Sequence, residues 1–154
     1  MGEYDTKVND NSNKNKLLGH EYNHSSNNPG CEKNWVYVDY KDSLHIIYKW
    51  YPLEICNIDK ENNKINLVEN KKMPKIFSHA RGSSCGFKYY VKDEGGQVVN
   101  TEVWFVVHVV SYEQPRHYYH MLVVFDEDLN LLRYSAPFKF EGEPIEYCLS
   151  LIHI

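Results

Sequence analysis

The residues of this chain whose types can do chemistry fall in four places: Lys33 with Asn34, His79 with Arg81, His108, and the stretch from Tyr112 to His120. Lys33, Asn34 and Arg81 can hold sugar hydroxyls or an anion such as phosphate, and Arg81 suits planar, bidentate contact best. Each can also be a solvated turn residue, Arg81 beside Gly82 less so than Lys33. His79 lies two positions before Arg81 and belongs to the same rim. His108 interrupts the apolar run Val103-Trp104-Phe105-Val106-Val107-His108-Val109-Val110, where a polar ring must find a partner, as a pocket group or as a core histidine.

The densest polar and aromatic stretch is Tyr112-Glu113-Gln114-Pro115-Arg116-His117-Tyr118-Tyr119-His120. Aromatic faces beside hydrogen-bonding groups suit a sugar ring, which is apolar on its C–H face and hydroxylated at its edge, so Arg116, His117 and Tyr119 form a second candidate surface. A hairpin whose tyrosines pack between sheets is the competing reading. As a metal site the stretch is weak, because His117 and His120 have opposite strand parity. Glu146 follows an apolar residue and can offer a carboxylate, but no pair of acids has the spacing of a catalytic dyad. The glycines at 82, 86, 95 and 96 fit no P-loop, dinucleotide fingerprint or nucleophile elbow.

The elements that must position these residues are strands. Residues 1–31 are asparagine-rich and poor in aliphatic residues, which marks a disordered or loop segment. From there, residues 35–40, 43–50, 53–58 and 64–69 are short runs rich in β-branched and aromatic residues, separated by turn chemistry. After a linker the pattern returns at 87–91, 102–110, 118–125 and 129–134. The two meanders rhyme: Asp59 and Asp126, 67 positions apart, each end a third strand and open a tight hairpin. Polar lead-in segments precede each first strand, Glu32-Lys33-Asn34 in one and Arg81-Gly82-Ser83-Ser84 in the other, and a third, Gly142-Glu143-Pro144-Ile145-Glu146-Tyr147, follows.

Repeated four-stranded units are the signature of a β-propeller. The expected fold is therefore all-β: two four-stranded antiparallel blades, at about 32–72 and 81–138, with the lead-in of a third at 142–148. Propeller rings have roughly four to eight blades, so two and a start predict a fragment of a longer protein. Residues 149–154, Leu-Ser-Leu-Ile-His-Ile, correspond to a read-through sequencing-adapter end and are expected to be an adapter-derived tail.

Composition narrows the partners. With 17 basic and 21 acidic side chains the net charge is −4, without the clustered basic excess of a nucleic-acid reader. No apolar run approaches the roughly 18 to 20 residues of a membrane span. Four dispersed cysteines form neither a CxxC motif nor a disulfide scaffold and favour a reducing, cytoplasmic compartment.

The run Glu32-Lys33-Asn34-Trp35, the strand pair over residues 36–48 and the Pro52-Leu53 turn resemble a blade of the five-bladed propellers of carbohydrate-active enzymes, in particular family 130 of mannoside phosphorylases and hydrolases. The resemblance covers about residues 32–148 as pattern. It is also similar to uncharacterised propeller domains joined to glycosyltransferases in algae and large DNA viruses. It implies a glycan ligand and no bound cofactor, with inorganic phosphate as a potential co-substrate. The partners it implies are the remaining blades or a glycosyltransferase domain. Two departures bear on activity. The glycine-rich lead-in of the family is replaced by Ser83-Ser84-Cys85, and the family's general-acid aspartate lies on a preceding blade, so this chain is expected to lack the catalytic acid.

Overall fold

A computed structural model describes residues 23–24 and 34–151. The chain forms β1 (Asn23–His24), β2 (Val36–Tyr40), β3 (Ser43–Trp50), β4 (Leu53–Asp59) and β5 (Lys64–Lys71). A 3₁₀ turn (Lys75–His79) then leads to β6 (Ala80–Gly82), β7 (Phe87–Lys92), β8 (Val98–Ser111), β9 (His117–Phe125) and β10 (Leu131–Tyr134). The described residues contain no α-helix, and the fold is all-β. Strands β2 to β5 make one antiparallel meander in sequence order, with β1 added in parallel on β5. The second sheet has the order β10, β9, β8, β6, and β7 also pairs with β8.

Local sequence explains these elements. Val36, Val38 and Tyr40 of β2 are buried and alternate with exposed Tyr37 and Asp39, the period of two that puts one face on a core. In β3 both Ile46 and Ile47 are buried, and in β8 Phe105, Val106 and Val107 are buried in succession, so these inner strands are apolar on both faces. The two third-to-fourth-strand hairpins share one device. The Asp59 carboxylate accepts the backbone N–H groups of Glu61 (3.1 Å) and Asn62 (3.0 Å) and the Asn62 side-chain amide (2.8 Å). The Asp126 carboxylate accepts the N–H of Asn130 (2.8 Å) and its amide (2.9 Å). Each hairpin also spends one left-handed residue, Asn63 (φ 52°) or Leu129 (φ 56°). The repeat read in the sequence is thus a repeat of hydrogen bonding.

The sheets pack face to face. Val36, Val38, Tyr40, Ile47, Leu53 and Ile55 meet Val103, Phe105, Val107, Met121, Val123 and Phe125 in one core. Trp50 caps it edge-on to Phe105, ring centroids 5.4 Å apart. The first strands touch: the Gly86 N–H donates to the Tyr37 carbonyl at 2.7 Å. A Cβ at Gly82 would lie 2.5 Å from Val36 Cγ1 and 2.7 Å from the Asn34 carbonyl oxygen. The end of β5 meets the turn between β9 and β10, where Lys71 donates to the Asp128 carbonyl and to Asn130 Oδ1.

The second sheet departs from the expected strand pattern in one instructive place. Residues 80–82, read as a polar lead-in, are a strand paired with residues 107–109 of β8. Ser83 and Ser84 then both donate their N–H groups to the Val106 carbonyl at 3.1 Å, and Ser84 Oγ accepts the Val106 N–H at 2.7 Å. This is a bulge, so β6 and β7 are one first strand interrupted. It lies between two glycines with no room for a side chain, Gly82 against Val36 and the Asn34 carbonyl and Gly86 against Phe105 and Val38. In the linker, the 3₁₀ turn buries Phe77 against the ring of Tyr134 (5.2 Å).

Replacing Gly82 with alanine forces that Cβ into backbone, and the expected loss is about 1–3 kcal/mol of unfolding free energy by urea titration. At Gly95, where a Cβ would meet only the Asp93 side chain at 3.3 Å, the same change is expected to alter stability by less than about 0.5 kcal/mol.

Candidate functional site

The lead-in segments converge. Asn34 holds a left-handed backbone (φ 65°), which asparagine tolerates, and its side-chain amide donates to the Tyr147 hydroxyl at 3.0 Å. That hydroxyl donates in turn to the Gly82 carbonyl at 3.2 Å. One residue from each of the three segments recognised in the sequence therefore meets at a single point. His108 floors it: Nδ1 lies 2.8 Å from the buried Ser83 hydroxyl, the Tyr118 ring stacks at 5.6 Å, and the Tyr147 ring packs edge-on at 5.2 Å. His108 is 2% exposed, so it acts here as a bonded wall that holds Tyr147 and Ser83 in place.

Beside this floor lies a cationic rim. Arg81 is directly opposite His108 in the β6–β8 register, and its guanidinium donates to the Tyr112 hydroxyl at 3.4 Å. The Arg116 guanidinium sits 5.3 Å from the centroid of the same Tyr112 ring. His79, at the end of the 3₁₀ turn, lines with Arg81 and Tyr112 a recess of about 140 Å³. Among the described residues neither arginine is paired with a carboxylate, so the rim suits an anion or a hydroxyl-rich edge.

The remaining candidates go elsewhere. His117 and Tyr119 pair across the sheet with Ser111 and Val109, on the face opposite to His108 and His120. Lys139 binds them there, its Nζ 2.8 Å from His117 Nδ1 and 5.5 Å from the Tyr119 centroid. The opposite parity of His117 and His120 expected from the sequence is what the register shows. The Glu146 carboxylate accepts backbone N–H groups from Phe140 (2.7 Å), Glu141 (2.8 Å) and Glu143 (2.9 Å), so it pins residues 138–147 as a strap along the β9 edge, where Phe138 bridges His120 and the Pro144 carbonyl accepts the Tyr118 N–H. Lys33 lies outside the described residues. Among those residues no group of three or more His, Cys, Asp or Glu side chains is arranged to hold a metal ion.

Sequence reasoning did not single out Tyr147, Ser83, Tyr112 or Tyr118 as site residues. All four stood in segments it marked, and the missing signal was the hydroxyl: Tyr147 and Ser83 each offer a short-range polar group to a point reached from several strands.

Under the strap, His120 is fully buried, with neither ring nitrogen hydrogen-bonded and Nε2 3.9 Å from Glu146 Oε2. Burial holds its pKa below the ordinary 6.5, although the Glu146 carboxylate and backbone pull the other way. Burial alone would raise the Glu146 carboxyl, but the N–H groups of Glu141, Phe140, Glu143 and Gly142 outweigh it and keep the carboxyl below its usual range. A histidine depressed in the closed state takes up a proton more readily when the strap is open. The closed strap is therefore fully favoured above about pH 6.5 and loses stability as pH falls from there toward the depressed value. The amides of Phe140, Glu141 and Glu143 are expected to lose protection, corrected for intrinsic exchange, between pH 7.5 and pH 5.5, and His120→Leu is expected to flatten that change. No family model matches the chain, and no curated protein or solved structure matches it.

Proposed function

We propose that the two sheets are neighbouring blades of a β-propeller of the five-bladed carbohydrate-active kind, and that the chain binds a glycan at the mouth formed by its lead-in segments. The observation that carries this reading is the meeting of Asn34, Gly82 and Tyr147, one from each repeat. Successive blades of a ring bring their first strands together at the axis, whereas a free-standing sandwich has no need to bring every repeat's lead-in to one place. The packing supports it too: the first strands lie against each other, the Gly86 N–H on the Tyr37 carbonyl and Gly82 against Val36, and the first sheet buries a second cluster on its far face. A sheet of that kind needs a partner on each side.

At this mouth Arg81 and Arg116 supply fixed donors for sugar hydroxyls or for phosphate, and Tyr112, 65% exposed, supplies a stacking face. Glycan processing of the hydrolase or phosphorylase type would need a positioned acid as well. A second reading, a non-catalytic glycan-binding propeller accessory to a glycosyltransferase, is favoured by Glu146, whose two oxygens are committed to backbone N–H groups.

Titration of the chain with mannosides, with and without inorganic phosphate, separates these. Binding is expected to shift the amides around Arg81 and Tyr112, and Arg81→Gln combined with Arg116→Gln is expected to weaken it at least tenfold. Turnover of the mannoside favours the enzyme, and saturable binding without turnover favours the accessory propeller. Binding that ignores the double substitution, or no binding to any mannoside, overturns the assignment.

A further inference from the structure

Three side chains stand in one row across the second sheet. Arg81 of β6 pairs with His108 of β8, His108 pairs with His120 of β9, and His120 bridges Phe138 at the start of the strap. Residues directly opposite in antiparallel strands share a face and lie about 5 Å apart at Cβ, so the row runs on one face from the cationic rim to the strap. Both histidines are buried. His108 is settled there by the Ser83 hydroxyl and by the rings of Tyr118 and Tyr147.

His120 is not settled in that way. The Phe140 ring lies 4.6 Å from it and the Phe138 ring 6.1 Å, and neither of its ring nitrogens has a hydrogen-bond partner. An apolar side chain would fill this place without the cost of two buried, unpaired nitrogens. Among the described residues the charged group at the ring is Glu146, with Oε2 3.9 Å from Nε2. That oxygen already accepts the Phe140 N–H, while Oε1 accepts those of Glu141 and Glu143. From β8 the titratable group facing His120 is His108. Arg81 lies one strand further along the row, its guanidinium turned to Tyr112, and Lys139 pairs with His117 on the other face of the sheet.

We propose that His120 and Glu146 form a proton-sensitive latch, which keeps the lead-in mouth assembled at neutral pH and frees its Tyr147 wall when the histidine takes up a proton. An imidazolium carries an N–H at both nitrogens and needs an acceptor for each. The acceptor in reach is Glu146 Oε2, and turning it to the ring takes it from the Phe140 N–H. Otherwise the strap must part to let water in. Either course loosens Glu146 from the backbone it gathers. Tyr147 is the next residue, and its hydroxyl joins Asn34 to the Gly82 carbonyl while its ring packs on His108, so a shift of Glu146 is passed to the mouth by its chain neighbour. Burial favours the neutral ring, and Arg81, about 10 Å along the row, opposes a further positive charge. The mouth is therefore fully assembled above about pH 6.5 and comes apart as pH falls through a midpoint below that value. As a regulation of the mouth, the latch rests on the reading of that place as a binding site, but its test needs no ligand, so the two can fail separately.

The test is a two-dimensional NMR titration of the whole chain from pH 7.5 to pH 5.0, following the Asn34 side-chain amide, the Tyr147 ring and the ring signals of the histidines. The Asn34 and Tyr147 signals are expected to change together, with the midpoint of the His120 ring and not that of the exposed His79. His120→Gln, which is polar and does not titrate, is expected to remove the step at Asn34 while His79 still titrates. Tyr147→Phe, which keeps the ring and loses the hydroxyl, is expected to leave the His120 midpoint in place and to remove the Asn34 step. An Asn34 signal that stays flat while His120 titrates would mean that strap and mouth are uncoupled. A step that survives His120→Gln would place the switch elsewhere, and a His120 ring still neutral at pH 5.0 would leave no latch. Each of these results overturns the proposal, and the first and last need no variant.

Discussion

Everything in this fold depends on how closely the first strands of the two sheets approach. The Gly86 N–H reaches the Tyr37 carbonyl across the gap between sheets, and at Gly82 there is no space for even a methyl group against Val36 and the Asn34 backbone. Val38 and Phe105 flank the contact at Gly86 and belong to the shared core. The close approach also brings Asn34 within reach of Tyr147 and leaves Arg81 at the rim beside Tyr112. A close-packed interior transmits such a constraint, because few voids exist to absorb a shift.

A second feature is that the first sheet buries both of its faces. The first sheet packs Ile46, Cys56 and Ile65 on its far side, with Trp35, Tyr48 and Ile58 against them, and burial there pushes the Cys56 thiol up to about 12, an inert small hydrophobe. The second sheet carries its strap, held by the backbone N–H groups that Glu146 gathers, against His120, with the Phe140 ring 4.6 Å from the His120 ring.

Much of this was legible in the sequence. The eight strand runs, their grouping into two meanders and the Asp59 and Asp126 hairpins follow from alternation and turn chemistry, which are local properties. Asn34, Arg81 and His108 were identified from residue type, and their proximity follows from the repeat. What escaped is non-local or conformational. Residues 80–82 read as polar because their partner strand lies about 25 residues on, and the bulge at Ser83 and Ser84 depends on a neighbouring sheet. Glu146 looked like a free acid because a ring of backbone donors leaves no mark in side-chain types. The hydrogen-bonded group of Glu102, Trp104 and Arg133 was hidden by a similar distance: its members come from β8 and β10, and only their register unites them.

The most direct measurement is amide exchange at Gly86, the group that ties one sheet to the other. If the first strands approach as described, its N–H is protected to the same degree as the amides of Phe105 and Val123 in the shared core, and Gly82→Ala lowers the three together. Exchange of Gly86 at the rate of an open loop, with Phe105 and Val123 still protected, would mean that the sheets are not joined along their first strands and would contradict the account.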